Sequence, residues 1–442
     1  MSYLIFQNAN LIHSVDLNNL QILENKTVLV NQDTGIIEKI CNHIDEISDQ
    51  SCINNAKFYQ LKSTQFLMPG LVDTHCHAPQ FFFTGTGLDL PLLEWLDKYT
   101  FPCESKFSDL NFAKKVYEKS VKSHLYCGTT TICFFGTIHL EATKLLVDII
   151  EKSGMRGYVG KVCMDRNSPD WYREETQKSL EDTKNFIDYV LSKQNPILKP
   201  VVTPRFAPTC SSQLMLSLAE ISESHNIPVQ THLSENVNEV KWVKELFSSE
   251  SYTAVYDTHG LLNDRTVLAH CIHLEDDELD LIKKRGAGIS HCPTSNTSLQ
   301  SGIMPTRKYL NKGLKIGLGT DVAGGFTPSI IHVIRECIGV SKLYRSFVKS
   351  DEEPIGLSEA FYLATIGGAQ LLGLEEKIGN FSEGKEFDAL LIDFSNIIHK
   401  NDDHHEPNFS DDHSLREIFE KFIYLGDDRN IKEIYVKGLR IL

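Results

Sequence analysis

The chain has 442 residues, 41% of them hydrophobic and 23% charged, enough to bury a large core and ordinary for a globular protein. Its 59 Asp and Glu outweigh 44 Lys and Arg, a net charge of −15 that repels phosphate backbones and argues against nucleic-acid partners. No basic leader with a long apolar segment opens the chain, and no run of 18 apolar residues occurs, so a soluble, unexported, non-membrane protein is expected. The eleven cysteines stand singly without a C-x-x-C pair, which suits reduced thiols in the cytoplasm.

Residues 1–65 carry short β-like runs, 3–6 and 27–30, punctuated by polar turns and Gly35, and no catalytic cluster. Eight apolar, β-branched runs follow, at 66–77, 128–135, 156–165, 198–207, 228–235, 266–274, 286–296 and 314–325. Helical patterns such as 111–126, 140–153 and 211–225 lie between them. Strand and helix repeated eight times predict an α/β fold, a (β/α)8 TIM-type barrel over 66–375. After residue 376 the texture returns to β, at 387–393 and 434–438. The two ends, 1–65 and 376–442, are expected to pair into one small β-sandwich-like domain. The stretch 401–413, rich in Asp and His, reads as a solvated loop.

In such a barrel the chemistry belongs at the C-terminal ends of the strands. The first run ends Pro69-Gly-Leu-Val-Asp-Thr-His-Cys-His77. Strand periodicity sends His75 and His77 to one side and Cys76 to the other, towards an outer helix. The fifth run ends with His232 and Glu235, the sixth with His270, and the eighth with Asp321. Three imidazoles and a carboxylate, His75, His77, His232 and Asp321, suit one Zn²⁺ per chain with a position left for water; Fe²⁺ fits the same donors and ranks second. Such an ion brings the pKa of its water towards ~7. Glu235, three residues beyond His232, is expected to shuttle protons, and Asp321 can also accept one. His270 is assigned to hydrogen-bonding the water, with direct ligation as the open alternative. His291 either lines the mouth or packs. His404-His405-Glu406 matches the His-x-Glu of cytidine-deaminase-type zinc sites, but no Pro-Cys-x-x-Cys follows it. Thr203-Pro-Arg-Phe206 stands where a bridging lysine would end the fourth strand, which favours a single ion.

These residues also carry a resemblance. The His75–His77 run, the His232–Glu235 step, His270 and Asp321 resemble the amidohydrolase superfamily. Leu88-Asp-Leu-Pro-Leu-Leu-Glu-Trp-Leu96, Thr203-Pro-Arg-Phe206, His291-Cys-Pro-Thr-Ser-Asn296 and Gly317-Leu-Gly-Thr-Asp-Val-Ala-Gly-Gly325 are similar to its guanine deaminase branch. The resemblance implies a cytosolic, homodimeric zinc enzyme that hydrolyses guanine to xanthine and ammonia. It implies that Gln80, Arg205 and Phe206 contact the base. Gln80 offers an amide donor and acceptor, Arg205 a fork for the 6-keto oxygen, and Phe206 a flat apolar face. In the implied reaction Glu235 protonates N3 while the activated water attacks C2. The alternatives are another ring on the same site (8-oxoguanine, an S-adenosyl compound or a triazine) and a non-catalytic scaffold, which would be expected to lose ligands.

Overall fold

The computed structural model describes residues 2–348, 351–395 and 413–442; of the loop expected at 401–413, residues 401–412, with His404, His405 and Glu406, lie outside them. Eight parallel segments form the expected barrel. Leu71–His77, Thr129–Phe135, Arg156–Gly160 and Leu198–Pro200 pair in sequence. Val229–Leu233, Thr266–His270, Gly288–His291 and Lys315–Leu318 form the other arc. The third and fourth strands extend as Val162–Cys163 and Thr203–Pro204. A bridge from Val202 to Val229 joins the arcs on one side. On the other, the Asp321 N–H donates to the His75 carbonyl (2.9 Å) and the His77 N–H to the Val322 carbonyl (3.2 Å).

The helices between the strands bury apolar stripes. In Leu140–Ser153 the buried Ala142, Leu146, Val147 and Ile150 recur at three- and four-residue spacing, and Gly154 ends the helix at φ 74°. Asp109 caps Leu110–Tyr126 and Ser211 caps Ser212–His225, each side chain accepting a first-turn N–H.

The run at 66–77 is two strands, not one. Gln65–Pro69 pairs antiparallel with Ala389–Asp393 in the terminal sheet, and only Leu71–His77 enters the barrel. The chain changes sheets at Gly70, where a Cβ would lie 2.1 Å from Thr130 Oγ1. The terminal strands form one eight-stranded sheet, in which Tyr3–Ser14 pairs with Leu20–Asn31, Ala56–Gln60 and, at Leu11, with Gln65–Pro69. Arg156 of the third barrel strand reaches Glu386 (2.7 Å) and Asp388 (3.1 Å) beside this sheet, all but buried. A helix that the β-like texture did not signal, Leu415–Leu425, packs Phe419 and Phe422 on Phe66. Among the described residues no helix is long and apolar enough to cross a membrane.

Candidate metal centre and active-site cavity

The strand ends converge. His75 and His77 share one side of the first strand, their rings 5.0 Å apart, and His232 faces both at 4.8 and 5.1 Å. One donor atom from each lies within 4.8 Å of the others, and His75, His270 and Asp321 form a second such group. Asp321 Oδ1 stands 3.2 Å from His75 Nε2 and 3.6 Å from His77 Nε2. Cys76 points away, its Sγ 3.3 Å from His124 Nε2 on the outer helix.

The donor chemistry fits a divalent cation. His232 Nδ1 lies 2.6 Å from the Arg205 carbonyl, so Nδ1 carries the proton and Nε2 presents a lone pair. That Nε2 is only 3.1 Å from His77 Nε2, and neither nitrogen of His75 makes a hydrogen bond. His77 Nδ1 is likewise without a partner, and buried nitrogens left so are costly unless something shared satisfies them. Burial pushes the ring pKa of His75, His77 and His232 below the ordinary histidine value, which keeps lone pairs available.

His270 is held at Nδ1 by Asn296 Oδ1 (2.9 Å), leaving Nε2 towards Glu235 Oε2 (3.5 Å) and Asp321 Oδ2 (3.7 Å). Burial, then the charges of Asp321 and Glu239, raises the Glu235 carboxyl well above its ordinary value. Burial also opposes ionisation of Asp321, but His75, His270 and His77 overcome it and hold that carboxyl low. The two carboxyls are driven in opposite directions. Ser234, His270 and Asp321 adopt positive φ (50°, 70° and 45°), left-handed backbone that non-glycine residues rarely take and that clusters where strands end in function.

Neighbours that the chain reading did not single out brace these groups. The helix Val237–Phe247 begins with a capping box, and its Glu239 accepts from the N–H of both Asn236 (3.2 Å) and Glu235 (2.9 Å). Tyr252 donates to the other Glu239 oxygen (2.9 Å). Asp73, pushed up to about 7 by burial, accepts from the Thr320 N–H (3.0 Å) and hydroxyl (2.5 Å), tying the first strand to the Asp321 turn.

A cavity opens beside the cluster. It is lined by His77, Gln80, Arg205, Phe206, His232, Glu235, His270 and Asp321, with Leu92, Trp95, Leu96 and Leu299 closing it. Arg205 and Gln80 do not face it with free hands. Arg205 spends its fork on Glu104, Nη1 to Oε2 at 2.6 Å and Nη2 to Oε1 at 3.2 Å. Gln80 donates to Glu104 (3.0 Å) and accepts from the Ala323 N–H (3.2 Å). His291 does not line the cavity; its Nε2 is 3.4 Å from the Thr306 hydroxyl, and it is buried.

Residues 66–441 match the amidohydrolase family. The chain belongs to that family. As an amidohydrolase enzyme it is similar to guanine deaminase of Dictyostelium discoideum, 46% identical over 98% of this chain and 97% of that protein. It is 45% identical to guanine deaminase of Homo sapiens over 90% of this chain and 87% of that one. The crystal structure of guanine deaminase from C. acetobutylicum with bound guanine in the active site superposes on all of this chain and all of its own, at a TM-score of 0.92 and 39% identity. The barrel with its terminal sheet is therefore the architecture of this amidohydrolase.

Proposed function

We propose that this amidohydrolase is a zinc-dependent guanine deaminase, hydrolysing guanine to xanthine and ammonia. The observation that carries the proposal is the meeting of His75, His77, His232 and Asp321 beside a small cavity walled by Glu235, Arg205, Gln80 and Phe206. The likeness to guanine deaminases over nearly the whole chain supports the choice of base.

His75, His77, His232 and Asp321 would hold one Zn²⁺. When bound, the ion supplies the Lewis acidity that makes a water nucleophilic at neutral pH. Arg205 and Gln80 reach the 6-oxo side of the purine with the N–H groups that Glu104 does not take, and Phe206 lies against the ring. Glu235 delivers a proton to N3, which draws electrons from C2. Asp321 and Glu235 are the carboxylates placed to take the proton that the attacking water releases at C2. His270, with its proton fixed on Nδ1 by Asn296, offers Nε2 as an acceptor to that water. A second proton transfer lets the 2-amino group leave as ammonia.

All eleven cysteines are free thiols, as a reducing cytoplasm would keep them, and the proposal places the enzyme there as a homodimer. The test is incubation of the purified protein with guanine, 8-oxoguanine, S-adenosylhomocysteine and an aminotriazine, followed by ultraviolet absorbance and ammonia release. Guanine alone should yield ammonia at a substantial rate, a chelator should abolish it, and Zn²⁺ should restore it. Turnover of another ring in preference to guanine would reassign the substrate, and no turnover at one bound ion per chain would favour a scaffold.

A further inference from the structure

Behind the wall that faces the base sits Glu104, fully buried at the end of the short helix Phe101–Glu104 and not itself lining the cavity. Each of its oxygens accepts two hydrogen bonds. Oε1 takes Gln80 Nε2 (3.0 Å) and Arg205 Nη2 (3.2 Å); Oε2 takes Arg205 Nη1 (2.6 Å) and the Tyr172 hydroxyl (2.8 Å). Four donors on four lone-pair sites leave no room for a carboxyl proton, so Glu104 is an anion paired with the Arg205 cation.

We infer that Glu104 is a positioning residue that makes the base-recognition wall electrically neutral, and so selects neutral purines over anionic ones. This inference rests on the guanine deaminase reading of the cavity. An end-on pair uses one hydrogen from each terminal nitrogen of Arg205 and leaves Nε–H and a second hydrogen on each terminal nitrogen untaken by Glu104. The same contact orients the Gln80 amide, whose carbonyl is fixed in turn by the Ala323 N–H. The wall thus presents oriented donors with no net charge. Guanine is neutral at physiological pH, whereas xanthine loses a ring proton near neutrality. An uncompensated arginine would hold that product anion; the Arg205–Glu104 pair gives it no such hold and favours its release.

The test is calorimetric binding of xanthine, and of hypoxanthine, which stays neutral over this range, from pH 6 to pH 9. In the unmodified enzyme the ratio of xanthine to hypoxanthine affinity should fall or stay level as xanthine ionises. Glu104→Gln should make the ratio rise about tenfold or more over the same range while kcat/KM for guanine drops. Glu104→Asp, which keeps the charge and disturbs the packing comparably, should restore the unmodified pH dependence. A merely structural role would weaken both ligands equally in both variants, and that result would overturn the inference. A rising ratio in the unmodified enzyme would overturn it too, even if the Gln variant fails to fold. If guanine is not turned over at all, the deaminase reading falls, while the affinity ratio still decides what Glu104 does to charge.

Discussion

In the proposed reaction Glu235 carries the proton to the base. Its carboxyl oxygens lie near His270 Nε2 (3.5 Å) and the Ser301 hydroxyl (3.4 Å), so it sits beside the donor cluster without belonging to the His75–His77–His232 group. Glu235→Gln preserves size and removes the exchangeable proton. Metal content, measured by plasma emission, should stay unchanged while kcat falls about 10²–10⁴-fold, the usual worth of a positioned acid–base group. A near-normal rate would take Glu235 out of the scheme. At this scale the sequence was informative, because His75, His77, His232, Glu235, His270 and Asp321 each stand at the end of an apolar run. Glu104 was not legible: its partner Arg205 is 101 residues away, and nothing local distinguishes a buried glutamate from an exposed one. Glu239 has a local signal, the Asn236-x-x-Glu239 capping box, but that pattern speaks of a helix start and not of a metal site.

Strand packing sets where those residues meet. In the barrel interior Gln230 on the fifth strand donates to the Phe134 carbonyl (3.0 Å) and the Thr203 hydroxyl (3.0 Å), linking three strands under the site. Gly160 ends the third strand against this cluster. A Cβ there would lie 1.7 Å from Thr203 Oγ1 and 2.7 Å from Gln230 Nε2. Gly160→Ala should therefore cost about 1–3 kcal/mol by overpacking, read as a lower urea midpoint. An unchanged midpoint would mean that the interior accommodates the methyl group. The eight strands were legible from hydrophobic runs, but the division of 66–77 was not inferred from them, since apolar residues continue across it from Phe66-Leu-Met68 to Leu71-Val72 and both halves are buried. The Pro69-Gly70 step is the local cue to that break. Helix Leu415–Leu425 does carry the helical signal, with Ile418, Phe419, Phe422 and Ile423 on one face behind a Ser414-x-x-Glu417 capping box, but its short run lies among β-like segments.

For the molecule as a whole, stability depends on histidines that carry no chemistry in the scheme. His13 in the terminal sheet and His124 on the outer helix are both buried, and burial pushes each from an ordinary 6.5 down to about 4. The unfolded chain therefore binds protons between pH 6.5 and 4 that the folded chain refuses. Stability from this source is full above 6.5 and declines as pH falls towards 4, by on the order of 1.4 kcal/mol per pH unit for each ring. The raised carboxyls of Asp73 and Glu235 work in the opposite direction over the same range, so the effect is read as a difference: between pH 7.5 and pH 4.5 the urea midpoint of His13→Leu should change less unfavourably than that of the unmodified chain. An identical pH dependence in the two proteins would contradict the assignment.

Every step of the proposed reaction requires that His75, His77, His232 and Asp321 surround one ion. Anomalous diffraction from crystals of the zinc-loaded enzyme, recorded on both sides of the zinc absorption edge, measures this directly. The account predicts a single strong peak per chain within bonding distance of those four side chains. No peak there, or a peak only at Asp73, Cys76 and His124, would contradict it.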